Sequence, residues 1–364
     1  MVLLAGCGAP PPTPTPQPLE ARALEPAGEW RMESRQSLFD TPFGGISALA
    51  WDASAQRLLA LSDDRGDEAP SRYYQARIDL ADGRLDAGDL VWEAVTVLRD
   101  ASDQPFAEDS LDPEGLALAP DGQRYLASEG DAGAEPPLPP AVLRLDPGGR
   151  ETGRLPLTEA YLPDGEGDRG VRDNQGFESL ALAPDGRWLV TGTQGPLAQD
   201  ADPEDGGECA AHLLAWTLPD QAPAGEWRYP LDLPAGRADA EDCDKAGALT
   251  ELLALDSAGG LLALERLGES GNDGPAATRL YAIRLPLGGD ADAAAADGEP
   301  PRLEKRLLAE LEALGLEPEG LEGMTLGPNL PDGRRALLLA GDDDFAKKAD
   351  TQWLMLALDL EPTP

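Results

Sequence analysis

The sequence predicts an all-β fold, a β-propeller of four-stranded blades, and three observations predict it. A hairpin sentence recurs along the chain: D-P-E-G-L-A-L-A-P-D-G at Asp112–Gly122 returns as G-F-E-S-L-A-L-A-P-D-G at Gly176–Gly186, with weaker copies elsewhere. Such repetition at fixed spacing is the mark of blade or solenoid architectures. Glycine and proline are abundant (41 and 35 residues) and fall between short apolar runs, where turns belong. The runs between them group in fours.

Taken in order, the chain opens on Leu4-Ala5-Gly6-Cys7, which resembles a bacterial lipobox with Cys7 as the lipidated residue. The apolar stretch before it is short and lacks a basic flank, so a chance match stays open. Ala9–Pro18 is rich in Pro and Thr and reads as an extended tether. Residues 1–27 are therefore expected to be anchor and tether, and 28–364 one propeller domain.

Gly28–Leu38 is the first expected strand. Gly45–Trp51, Arg57–Ser62, Tyr73–Leu80 and Leu90–Leu98 form the first set of four. Gly115–Ala119, Arg124–Ser128, Ala141–Leu145 and Glu151–Leu157 form the second, and Ser179–Ala183, Trp188–Thr193, Leu213–Leu218 and Gly225–Leu233 the third. The fourth holds Thr250–Leu255, Leu261–Glu265, Leu280–Leu285 and Arg302–Leu311, although Leu303, Leu307, Leu311 and Leu314 fit a helical period equally well. The last set, Gly323–Leu326, Arg335–Ala340 and Thr351–Leu358, is one strand short. Lending it Gly28–Leu38 closes the ring and removes an open edge. In support, G-E-W-R at Gly28–Arg31 recurs at Gly225–Arg228, an outer strand by this count. Five blades is the direct reading; Asp79–Asp109 or Pro286–Pro318 could hide a sixth, and a β-sandwich or two small β domains is the alternative fold.

The net charge of −39 argues against nucleic acid or an anionic membrane as a partner through bulk charge. Any membrane contact is expected through Cys7 alone. Cys209 and Cys243 flank one blade segment and are expected to pair in an exported protein, two free thiols being the alternative. With His212 as the single histidine, and no G-x-S-x-G elbow or P-loop, Ser–His–Asp and Walker chemistry are disfavoured.

If the fold holds, acids at the starts of inner strands (Glu114, Glu178, Glu251, Glu322) and at the ends of second strands (Asp63, Asp64, Glu129, Glu265, Asp342, Asp343, Asp344) converge on one channel mouth. A ring of carboxylates either binds hard cations such as Ca²⁺ or raises some of its own pKa values. Arg65 and Arg266 would pair with the acids or hold an anionic substrate. A purely structural role, each acid accepting backbone N–H bonds at a turn, stands beside this reading.

The ordered motifs G-G-I-S-A-L-A-W-D, L-S-D-D-R-G, D-P-E-G-L-A-L, N-Q-G-F-E-S-L-A-L, L-L-A-L-E-R and L-E-G-M-T-L-G-P-N-L-P-D-G-R-R-A-L-L-L-A-G-D-D-D-F, from Phe43 to Leu358, resemble the "esterase-like activity of phytase" family. Ser179 and Asp344 depart from its pattern, where Gly and Asn are commoner. The resemblance implies an envelope-located bacterial propeller, often lipid-anchored, and a metal-assisted ester or phosphoester hydrolase. It points to Glu114, Glu129, Glu265, Arg65 and Arg266 as catalytic groups, to Arg65, Glu178, Glu322 and Phe345 as substrate contacts, and to Asp63, Asp64, Asp342 and Asp343 as Ca²⁺ ligands. A non-catalytic propeller that binds a ligand or protein partner at the cell envelope is the competing expectation.

Overall fold

The computed structural model describes residues 18–33, 35–200, 208–218, 220–233, 243–268, 277–287, 299–346 and 349–363. Cys7 and most of the expected tether lie outside them. The chain opens with β1 (Leu19–Glu33) and a two-residue-per-arm hairpin, β2 (Ser37–Leu38) and β3 (Thr41–Pro42). Five four-stranded antiparallel sheets follow in a ring. Blade 1 is β4 (Ile46–Asp52), β5 (Arg57–Ser62), β6 (Arg72–Ile78) and β7 (Leu90–Val97). Blade 2 is β8 (Pro113–Leu118), β9 (Arg124–Ser128), β10 (Ala141–Leu145) and β11 (Glu151–Arg154). Blade 3 is β12 (Phe177–Leu182), β13 (Trp188–Thr193), β14 (Ala210–Thr217) and β15 (Ala222–Pro230). Blade 4 is β16 (Ala248–Ala254), β17 (Gly260–Leu267), β18 (Ala277–Arg284) and β19 (Lys305–Glu310). Blade 5 is β20 (Leu321–Asn329), β21 (Arg335–Gly341) and β22 (Asp350–Pro362), with β1 hydrogen-bonded outside β22.

The blade number is therefore five, and the long 79–109 segment carries β7 rather than an extra blade. β1 begins at Leu19, so the expected domain boundary at Gly28 falls inside a strand: Leu19 to Ala27 pair with β22 in spite of their mixed composition. The ambiguous 302–315 stretch resolves into strand β19 followed by a single 3-10 turn, Glu312–Leu314. Both copies of G-E-W-R lie on outer strands, β1 and β15.

Blades stack face to face, so their middle strands are buried on both sides and read as continuous apolar runs. Leu58 to Leu61 in β5 and Leu261 to Leu264 in β17 are almost wholly inaccessible. The core is five separate layers, one between each pair of neighbouring blades. The layer between blades 5 and 1 is the most aromatic. Phe43 lies 4.9 Å from Tyr74 and 4.7 Å from Trp92, and Trp92 lies 5.7 Å from Trp353. The Pro-Asp-Gly signals form the expected tight turns: Gly122 N–H donates to Ala119 O (2.9 Å) and Gly186 N–H to Ala183 O (2.8 Å), both glycines having positive φ. A disulfide joins Cys209, just before β14, to Cys243.

Candidate active site

Each inner strand breaks register at the same place near its start: Ile46/Ala48, Pro113/Gly115, Phe177/Ser179, Leu249/Glu251 and Leu321/Gly323. A bulge re-aims the residue it extrudes. The extruded residues are Ser47, Glu114, Glu178, Thr250 and Glu322. Ser47 Oγ donates to Pro113 O (3.0 Å) and Thr250 Oγ1 to Leu321 O (3.3 Å), tying neighbouring inner strands together. The three glutamates converge instead: one carboxylate oxygen from each of Glu114, Glu178 and Glu322 lies within 4.8 Å of the other two.

A second ring comes from the β5, β9, β13, β17 and β21 ends. Asp63 N–H donates to Gly45 O, Glu129 to Asp112 O, Gln194 to Gly176 O and Asp342 to Gly320 O, at 2.8–2.9 Å, while Arg266 pairs with Ala248 in the ladder. Asp63, Glu129, Gln194, Arg266 and Asp342 are thus structural equivalents. Asp112, Glu114 and Glu129 form another oxygen group, again within 4.8 Å, which shares Glu114 with the first.

Few cations offset these acids. Arg266 Nη2 lies 2.9 Å from Glu322 Oε1. Arg65 reaches Asp131 Oδ2 at 2.7 Å and Asp112 Oδ2 at 3.4 Å. Gln194 Nε2 donates to Glu178 Oε1 (2.8 Å) and Gly176 N–H to Glu129 Oε1 (3.1 Å). Burial is the main cause that pushes the carboxyl pKa values up, and neighbouring carboxylates add to it. Glu129, Glu178 and Glu322 rise to about 8 and Asp112 to about 6, Arg266 opposing the rise at Glu322 and Arg65 that at Asp112. Glu114, Asp63 and Asp342 are also raised well above the usual carboxylate range. Asp63 Oδ1 is sealed from solvent with no hydrogen-bond partner. An all-oxygen donor set with an orphaned carboxylate oxygen beside it fits a hard divalent cation.

The structure brings Asp63, Arg65, Glu114, Glu129, Glu178, Arg266, Glu322 and Asp342 to the mouth and gives five other expected residues different partners. Glu265 faces away because strand alternation puts it opposite to Arg266; it accepts bonds from Lys305 Nζ (2.6 Å), Tyr229 Oη (3.0 Å) and Asp232 N–H (2.6 Å). Asp64 is engaged by its own loop: its carboxylate takes the N–H groups of Gly66, Glu68 and Ala69 and pairs with buried Arg72 at 2.6 Å. Asp343 is likewise spent on Gly45 N–H, Phe345 N–H and Thr351 Oγ1. Phe345 packs its ring on Gly44 and Gly45, with the Arg72 guanidinium 5.7 Å from its centroid, and shapes the wall rather than the acid cluster. Glu251 sits one residue past the extruded position and accepts Leu180 N–H (3.2 Å) and Leu252 N–H (2.9 Å), a bond between inner strands.

Sequence reasoning missed Asp112 and Asp131. Each lies two residues from a predicted acid, Glu114 or Glu129, a spacing that shares a face in extended chain. Gly45 has φ of 60°, and a Cβ there would lie 2.0 Å from Asp63 Oδ1 and 2.5 Å from the Phe345 ring. Gly45→Ala is expected to cost about 1–3 kcal/mol in urea unfolding and to blunt any cation-induced rise in melting temperature.

The fold and the site together define a five-bladed propeller with a buried carboxylate cluster at the channel mouth. The family model for "esterase-like activity of phytase" (phytase-like) matches residues 41–345, and the chain belongs to that family. No curated protein matches it in sequence. Among solved structures it is similar to a GH43 β-1,3-galactosidase (10% identity, TM-score 0.48, 89% of this chain and 93% of that one). It is also similar to a GH43 β-xylosidase/α-arabinofuranosidase from a compost microbial metagenome (12% identity, TM-score 0.44, 94% of each). The chain spans 60% of the Kuenenia stuttgartiensis hydrazine synthase chain, with 86% of itself aligned, 12% identity and a TM-score of 0.35. At these identities and TM-scores the likeness carries no activity across.

Proposed function

We propose that this protein is an exported phytase-like hydrolase of a small ester or phosphoester, assisted by a hard divalent cation such as Ca²⁺. The observation that carries the reading is the convergence of Glu114, Glu178 and Glu322 within 4.8 Å, between Asp112 and Glu129 on one side and Arg266 on the other. Glu114, Glu178 and Glu322 would hold the ion, which when bound supplies Lewis-acid polarisation of a substrate oxygen and acidifies a water. Arg65 and Arg266 offer guanidinium N–H groups to an anionic substrate and to charge that develops on it. Glu129 keeps Oε1 on Gly176 N–H, which leaves Oε2 free to exchange a proton with a leaving oxygen. The Cys209–Cys243 disulfide supports an oxidising, envelope location, with Cys7 as the proposed lipid anchor. The strong negative charge favours small-molecule partners over nucleic acid.

The test is turnover of p-nitrophenyl phosphate, phytate and p-nitrophenyl acetate, with Ca²⁺ and with chelator. Chelator-sensitive turnover of any of them supports the reading. No turnover, with the melting temperature still raised by Ca²⁺, replaces it with a non-catalytic binding propeller.

The cluster also sets a pH dependence. Unfolded Glu and Asp release protons near pH 4. The folded protein keeps those on Glu129, Glu178 and Glu322 up to about pH 8. Folding therefore takes up protons in this window, and stability falls as pH rises through it. The melting temperature of the chelated protein is expected to drop between pH 5 and pH 8, and saturating Ca²⁺ to flatten that slope. A flat profile without cation would contradict the placement of these carboxyls.

A further inference from the structure

His212, the single histidine of the chain, stands in β14 at the contact of blades 2 and 3 and is only 4% exposed. Both ring nitrogens lie near carboxylate oxygens: Nδ1 is hydrogen-bonded to Glu226 Oε1 at 3.2 Å, and buried Nε2 lies 3.0 Å from Asp200 Oδ2, an ion-pair distance without hydrogen-bond alignment. Tyr161 sets its ring edge-on to the imidazole (6.2 Å between centroids) and donates its hydroxyl to the same Glu226 oxygen at 2.8 Å. The titratable groups facing the imidazole are thus Asp200 from the loop after β13, Glu226 from β15 and Tyr161 from the 3-10 turn after β11.

A neutral imidazole has one N–H and one lone pair. It can serve Glu226 through Nδ1 but carries no charge to set against Asp200; only the imidazolium attracts both carboxylates. We propose that His212 is a proton-operated clamp, which in its doubly protonated form pins the Leu197–Asp200 segment to blade 3 and releases it on deprotonation. The segment in turn holds the long connection that follows blade 2. Ala198 N–H donates to Gly170 O (2.9 Å), Gly170 N–H to Gln199 Oε1 (3.0 Å), and Gln199 Nε2 to Ala160 O (3.1 Å). That connection ends on Gly176, whose N–H holds Glu129 at the channel mouth. The His212 backbone N–H also donates to Thr193 Oγ1 (2.9 Å), next to Gln194, which holds Glu178. Clamp and mouth are joined along two routes, one through the 170–176 backbone and one through the Thr193–Gln194 peptide, and the inference holds whether or not the mouth hydrolyses anything. Burial lowers the imidazole pKa, but the carboxylates of Asp200 and Glu226 outweigh it and raise the pKa above its ordinary value. The contribution is full below about pH 6.5 and fades as pH rises through the folded value.

Because the histidine is unique, ¹³C/¹⁵N-histidine labelling of the full chain gives one imidazole signal to titrate. The expected result is a pKa above 6.5, an imidazolium spectrum with both N–H protons slowed in exchange below it, and, across that pKa, faster hydrogen exchange at Gly170 and Ala198 after correction for intrinsic rates. Asp200→Asn, a change at a half-exposed partner, should lower the titration midpoint by about one unit. His212→Gln should make exchange at Gly170 and Ala198 independent of pH. An imidazole pKa at or below 6.5 in the wild-type chain, or a titration that leaves both amides unchanged, overturns the proposal even if the glutamine variant fails to fold.

Discussion

Glu114→Gln is expected to abolish the stabilisation conferred by Ca²⁺ while making the cation-free protein more stable at pH 8. Glu114 belongs to both oxygen groups at the mouth, with Glu178 and Glu322 and with Asp112 and Glu129. The amide keeps its shape but removes one shared anionic ligand. Losing an outer-shell partner typically costs about 10–100-fold in metal affinity, and a shared ligand should cost at least the upper end of that range. A ligand at 100 times its dissociation constant stabilises by about 2.7 kcal/mol, so a 100-fold loss reduces this gain to a few tenths. The opposite change without cation follows from the same crowding. Burial first, and then Glu178, Asp112, Asp63 and Glu129, hold the Glu114 carboxyl well above its usual range, so ionising it costs folding free energy. Calorimetry with Ca²⁺ and thermal melts with chelator check both halves. Unchanged Ca²⁺ affinity in a folded variant would move the cation elsewhere, and turnover of the three esters would then say whether the mouth is the reacting site at all.

What could be read from the chain beforehand, and what could not, divides along the strand ladder. Blade number, turn positions and the outer-strand role of G-E-W-R follow from runs of local chemistry, which sequence displays directly. The acids required register. Glu251 and Glu265 look like members of the repeat when counted by eye, but the bulge at Leu249/Glu251 extrudes Thr250, and the ladder puts Arg266, not Glu265, in the place of Glu129. A shift of one residue exchanges the two faces of a strand. Asp64 and Asp343 are bound up for a different reason. Each begins or closes a tight loop, where a short carboxylate is as valuable to backbone N–H groups as to a cation, and composition does not tell the two apart. Asp112 escaped notice because a proline separates it from Glu114, although extended backbone through Pro113 keeps both on one side.

Lys305→Met is expected to cause the largest loss of stability of any single change considered, about 3–5 kcal/mol, because it strands a buried carboxylate. Lys305 Nζ lies 2.6 Å from Glu265 Oε2 and 2.7 Å from Asp232 Oδ1, and 4.2 and 4.9 Å from the ring centroids of Tyr281 and Tyr229. Glu265 is fully inaccessible, and burial pushes its pKa up while Lys305 pulls it back. Asp232 would keep Arg279 at 2.5 Å, so the unpaired charge falls on Glu265. Methionine fills similar volume, which separates lost charge from lost packing. The double variant Lys305→Met with Glu265→Gln should therefore recover most of the loss, as a coupled pair does in a mutant cycle. A single-variant loss below about 1 kcal/mol in urea unfolding would mean that Glu265 takes up a proton once Lys305 is gone, so that no charge is stranded. The site should register the change too. Asp232 follows the outer strand of blade 3, Glu265 lies in β17, and the next residue, Arg266, is the guanidinium that meets Glu322 at 2.9 Å. A network buried behind the blade thus fixes the strand whose opposite face supplies the cation of the mouth, and its rupture is expected to weaken anionic substrate binding before it unfolds the protein.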